Sequence, residues 1–175
     1  KSKGNAIWFE DAADKMGVDS MRWVFARHDP AANINFGYGS ADEVRRQFII
    51  PLWNVYSFFV TYAEIDQFDP KTPAPPVAER AELDRWIISE LNQLVAEVTN
   101  ALENFEPQTA ARRSEAFVGS LSNWYVRRSR RRFWKSGLLS EEGGGDQDKL
   151  AAYATLYEVL VTLSKLLAPI IPFVT

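Results

Sequence analysis

The chain has 175 residues, of which 46% are hydrophobic and 25% charged, enough apolar mass for a folded core and incompatible with a disordered chain. It holds no cysteine and a single histidine, His28; disulfides, thiolate metal sites, cysteine nucleophiles and histidine-rich metal centres are excluded, and a reducing compartment fits. The net charge of −3 conceals a strong asymmetry: the segment from Leu121 to Lys135 carries five arginines, one lysine and no carboxylate, so it is +6 and the remainder −9.

In chain order, Glu10 to Met16 reads as a short helix stopped by Gly17. A second helix runs to Arg27, with Asp19 or Ser20 as its N-cap and Asp29-Pro30 as its end. Asn33-Ile34-Asn35-Phe36 alternates polar and apolar residues and predicts a brief strand. Ser40-Ala41-Asp42-Glu43 reads as a capping box that opens a helix reaching about Ile65, bent or divided at Pro51. Pro70, Pro73, Pro75 and Pro76 then mark a stiff connector.

A long helix follows from Glu79 to Asn104, its apolar residues recurring every three or four positions from Leu83 to Leu102. Pro107 suits the first turn of the next helix, which extends to Lys135. Gly137 to Asp146 is a glycine-rich loop, and Asp146 caps a last helix that ends before Pro169. No uninterrupted run of about 18 apolar residues is present, and no membrane span is expected. With neither an initiator methionine nor an apolar leader at its start, the chain reads as a piece of a longer protein. The fold class is therefore mainly α, a helical bundle of residues 40–175 behind a small α+β lead-in of residues 1–39.

The basic run is the most unusual stretch. At about 100° per residue, Phe117, Leu121 and Trp124 share a face that Arg128, Arg131 and Lys135 continue. Arginine clustered among aromatic residues has the chemistry of nucleic-acid binding, with guanidinium planes for phosphate and rings for bases. Arg127, Arg130, Arg131, Arg132, Trp134 and Lys135 are the candidate contacts. The five arginines spread over about 200° of the helix, so some must pair internally, and Arg128, on the Trp124 side, is the expected buried member.

The remaining polar residues read as structural. Asp84 and Arg85 form an exposed pair, and Arg112 and Arg113 are solvated or ion-paired. Asp11, Asp14 and Asp19 serve helix starts rather than acid–base chemistry, and Trp53, Tyr56, Phe58 and Phe59 are core. Gly143-Gly144-Gly145 lacks the lysine of a phosphate-binding loop, and no metal site is expected.

Several stretches together resemble class I aminoacyl-tRNA synthetases. Lys1-Ser2-Lys3-Gly4-Asn5 resembles the second half of their Lys-Met-Ser-Lys-Ser loop, and Gly17-Val18-Asp19-Ser20-Met21-Arg22 resembles their stem-contact segment. Leu52 to Phe59 and Asn123 to Trp134 are similar to the isoleucyl branch in particular. The resemblance implies a region running from the end of that loop and the stem-contact segment (1–39) into the anticodon-binding bundle (40–175). It further implies that Lys1 and Ser2 belong to the loop that holds ATP phosphates, that ATP and Mg2+ serve the parent enzyme although this piece has no cofactor, and that isoleucine tRNA and the rest of the synthetase chain are its partners in the cytoplasm. Without the nucleotide-binding core and editing domain, the piece is not expected to aminoacylate. The alternatives are a helical protein-interaction module with an internally paired arginine cluster, or the valyl or leucyl branch.

Overall fold

The computed structural model describes residues 6–135 and 146–175. The calls on Lys1 and Ser2, and most of the glycine-rich loop, lie outside them. Helix α1 spans Phe9–Met16 and α2 Val18–Arg27. Gly17 joins them at φ +81°, a left-handed conformation that a side chain would strain. Neither Asp19 nor Ser20 caps α2. Asp19 instead turns inward and accepts the Phe173 N–H at 3.1 Å, so the last residues of the chain are tied to its first helices. Arg22 reinforces that link by donating to the carbonyls of Pro169 and Ile170.

Residues 33–36 form no strand, and no strand is present among the described residues. The lead-in is helical rather than α+β. An isolated four-residue alternation has no partner edge here to complete its backbone hydrogen bonds, and Ile34 and Phe36 pack on the common core instead. Trp23, fully buried, stacks on Phe48 with centroids 4.0 Å apart and donates to Glu115 at 2.9 Å. The first helices thus share one core with the bundle.

Helix α3 (Tyr38–Val44) passes through a π turn, Arg45–Ile49, into α4 (Ile50–Ile65) without a break. Ser40 occupies the third helical position, not the N-cap: its Oγ accepts the Gly37 N–H and donates to the Gly37 carbonyl. The π turn lies where Pro51 withholds an N–H and its ring would crowd the carbonyl four residues back. The wider turn, with the Ile50 N–H bonded to Arg45 O, accommodates the proline without ending the helix.

Helix α5 (Glu82–Glu103), α6 (Pro107–Ser120), a second π turn (Leu121–Val126), α7 (Arg127–Trp134) and α8 (Gln147–Leu167) complete the bundle. Asp146 caps α8, accepting the Lys149 N–H at 3.0 Å. Two helices, Tyr38–Ile65 and Gln147–Leu167, have the length and average hydropathy of membrane-spanning segments. Neither contains an uninterrupted apolar run of that length, and buried helices of a bundle reach the same average hydropathy. The second lies mostly within the bundle; the first is 22% buried over its apolar window. Trp53 and Tyr56, expected in the core, stand on its exposed side and flank an apolar groove against Leu160, Leu167 and Val174.

Candidate nucleic-acid interface

The arrangement of the basic run follows from the second π turn. Phe117, Leu121, Tyr125, Ser129 and Phe133 are all buried, a strict four-residue repeat. In an unbroken α-helix, positions four apart drift by about 40° per step, and Phe133 would rotate away from the core. The wide turn takes up one extra residue and holds the repeat on one face. From this turn onward the inward register moves by one position relative to the 100° reading: Tyr125 replaces Trp124, Ser129 replaces Arg128, and Arg132 replaces Arg131.

The inner face of α7 is consequently dense with contacts. Phe133 packs edge-on against Phe58 and Tyr153, at 5.1 and 4.9 Å between centroids. Arg132 donates from Nη1 to Oδ1 and from Nη2 to Oδ2 of Asp84, both at 2.7 Å. Asp84 is 0% exposed and also accepts the Tyr125 hydroxyl at 2.7 Å. Arg132 further reaches the backbone carbonyl and a carboxylate oxygen of Asp148, each at 2.8 Å. Burial works against the charge of Arg132, but the hydrogen bonds and charge of Asp84 outweigh it and hold the guanidinium more firmly protonated than usual. Burial and then the Asp84 carboxylate push the Tyr125 hydroxyl well above its ordinary value.

Three expectations are therefore corrected. Arg132 is an internal tie and Arg128 is not buried; Asp84 is not in an exposed pair with Arg85 but is the acid that receives Arg132. Lys135 is exposed yet engaged, 2.9 Å from Asp146 and 3.8 Å from Asp148, and the hydrogen bond and charge of Asp146 raise its ammonium pKa.

A second internal group was not anticipated. Lys149, 0% exposed, sits 2.6 Å from Asp66 and donates at 2.6 Å to the carbonyl of Lys135. Tyr153 donates to the same Asp66, and burial followed by that carboxylate raises its hydroxyl pKa. The group ties the end of α7 to α8 and to the residue after α4. Its signal was present in the pattern: Asp84 and Lys149 both fall on the apolar stripes of their helices, where an ionic residue requires a buried partner.

What remains on the outside is coherent. Within α7, Arg127, Arg130, Arg131 and Trp134 are exposed and lie within about 100° of arc, centred about 130° from the buried Ser129 and Phe133. No carboxylate among the described residues pairs with these three arginines. Beside them, Trp124 is 51% exposed, with the Arg128 guanidinium carbon 4.6 Å from its ring centroid. Away from this face, Arg113 pairs with Glu97, while exposed Arg112 borders a shallow polar recess with Arg27, His28 and Glu43. Among the described residues no cluster of metal-ligating side chains occurs.

Comparison with known proteins fits this geometry. The family described as the anticodon-binding domain of tRNA ligase matches residues 84–175. The isoleucine–tRNA ligase of Dehalococcoides mccartyi (strain CBDB1) is 55% identical over 99% of this chain, that of Deinococcus radiodurans 47% over 99%, and that of Thermus thermophilus 46% over 99%. The chain spans 15–16% of the length of these relatives.

Proposed function

The chain belongs to the anticodon-binding domain family of tRNA ligases, and from that premise we propose that it is the part of an isoleucine–tRNA ligase that docks the anticodon stem and loop of isoleucine tRNA in the cytoplasm. The observation that carries this reading is the outward face of Arg127, Arg130, Arg131 and Trp134, cationic and without carboxylate partners among the described residues. Its members sit on a helix whose opposite face is anchored by Phe133 and by the Asp84–Arg132 pair, so the guanidinium groups are presented from a rigid support. Rigidity lowers the ordering cost of binding, and arginine matches phosphate oxygens with paired N–H donors.

On this reading residues 40–175 are the docking bundle and residues 1–39 connect it to the catalytic part. The parent enzyme activates isoleucine with ATP and Mg2+ and esterifies it to tRNA; Lys1 and Ser2 belong to the loop that holds the ATP phosphates. The stretch itself binds and does not aminoacylate. The alternative of an internally paired cluster accounts for Arg132 and Lys135 and leaves Arg127, Arg130 and Arg131 unexplained.

The test is the affinity of the chain for isoleucine and valine tRNA across salt concentration, with the anticodons exchanged. Preference should follow the isoleucine anticodon, with a log–log salt slope of about −2 for three phosphate contacts at about −0.7 each. Binding that is absent, insensitive to salt or indifferent to the anticodon overturns the reading.

A further inference from the structure

The corner between α5 and α6 holds a residue that no contact among the described residues explains. Phe105 has φ +60°, a left-handed conformation that a side chain enters only at a cost, and its ring is 90% exposed. An aromatic ring gains by leaving water, so both features count against this residue within the chain itself. We propose that Phe105 is a docking anchor, seated in an apolar pocket of the catalytic part of the parent enzyme. The proposal rests on the reading above, in which residues 1–39 join the bundle to such a part. Strained residues that persist in a well-held backbone mark functional positions, and buried aromatic side chains dominate the energy of protein interfaces.

The backbone that carries the ring is firmly held. The Phe105 N–H bonds to Leu102 O at 3.1 Å and the Glu106 N–H to Ala101 O at 2.8 Å. The Asn104 side-chain amide donates to Asn100 O at 2.8 Å, and Pro107 opens α6 immediately beyond. The ring therefore projects from a fixed corner, and little ordering is left for a partner to impose.

Three observations select the partner. Gln108 and Arg112, in the first turns of α6, line one recess with His28, Asn33 and Asn35, so the corner stands beside the lead-in. From Pro107 to Arg131 the helical run is about 35 Å long at about 1.5 Å per residue, which sets Phe105 far from the arginine face. Glu103 and Glu106 are exposed on either side of Phe105. These carboxylates repel a phosphate backbone, which argues against tRNA at this corner. They also argue against a second copy of the chain, because a two-fold contact would set the same acids face to face. They suit an apolar pocket with a cationic rim. The chain spans 15–16% of the length of its relatives, so most of the parent lies outside it and can supply that pocket.

The experiment is hydroxyl-radical footprinting read by mass spectrometry on this chain and on the full-length parent enzyme, each with and without isoleucine tRNA. Buried Phe133 is the internal standard for a covered ring, and Trp134 reports tRNA docking. Phe105 should oxidise readily in this chain and lose most of that reactivity in the parent before tRNA is added. Hydrogen exchange is then measured on Phe105→Asn, which removes the ring and tolerates the left-handed backbone. The amides of residues 104–110 should exchange faster in the variant parent than in the unchanged parent. In this chain alone the variant should unfold at the same temperature or higher. Phe105→Tyr, which keeps the ring, should retain the protection.

Equal oxidation of Phe105 in chain and parent overturns the anchor, as does protection that appears only with tRNA. Protection of the isolated chain that grows with its concentration assigns the corner to a second copy and overturns it too, and so does unchanged exchange in the Phe105→Asn parent. These outcomes leave the docking function standing if tRNA protects Trp134. A covered Phe105 in a parent whose Trp134 never responds to tRNA upholds the anchor and overturns the docking function.

Discussion

Arg132 grips Asp84 with both of its terminal nitrogens, at 2.7 Å each, across 48 residues of sequence. The two side chains join the beginning of α5 to the end of α7. Removing one partner strands the other charge inside, and the measured cost of doing so in buried pairs is about 3–5 kcal/mol. Asp84→Ala and Arg132→Ala should each lose that order of stability in urea denaturation. The double change to apolar residues of similar volume should lose less than either single change, because neither charge is left behind.

Arg130 and Arg131 point away from the core and make no ion pair among the described residues. Changing either to alanine should flatten the salt slope of tRNA binding by about 0.7. Stability should shift by no more than about 0.5 kcal/mol, as for surface positions generally. A slope that stays put would show that phosphates do not reach this face.

Phe105 closes α5 at φ +60°, with the Glu106 N–H returning to the carbonyl of Ala101 at 2.8 Å. This is the position where helices commonly place glycine. The ring is 90% exposed and repays little of the left-handed strain, which costs about 1–2 kcal/mol for an L residue. Phe105→Gly should therefore leave the protein as stable or raise its stability by up to about 1 kcal/mol, measured by thermal unfolding.

Asp146 caps α8 and holds Lys135. Burial pushes its carboxyl upward, but the hydrogen bonds from Lys135 and the Lys149 N–H prevail, and its pKa falls below the ordinary 3.8. A depressed carboxylate contributes stability above its unfolded pKa and loses it as pH drops through the folded value. Asp146→Ala should cost about 1 kcal/mol at neutral pH, and the deficit should shrink below pH 3.8. Asp19 has the opposite sign: burial raises its carboxyl despite the N–H groups of Val174 and Phe173, so its contribution is present below pH 3.8 and disappears as pH rises through the folded value. Urea midpoints across pH 2–7 separate the two.

Most of the helices were readable from periodicity, proline placement and the Asp146 cap, because those signals act within a turn or two of themselves. The site was readable only by composition. Reading α7 at 100° per residue assumes an unchanging pitch, and a single wide turn exchanged the fates of Arg128 and Arg132. The four-residue spacing of Leu121, Tyr125, Ser129 and Phe133 was visible in the chain and is incompatible with a regular α-helix packed on one face. Asp84 on the stripe of Ile87, Ile88 and Leu91 likewise announced a buried cation without saying which. Ion pairing over 48 residues has no local trace, and the brief strand at residues 33–36 failed for want of a neighbour that no local pattern can supply.

The turn at Leu121–Val126 behaves as a phase shifter between a scaffold and a tool. Deleting one residue there would rotate everything downstream by about 100°, carrying Ser129 and Phe133 off the core and pulling Arg132 away from Asp84. Insertions and deletions in this short stretch are thus far more disruptive than substitutions, because the same few bonds choose which arginines brace the protein and which are offered to its surroundings.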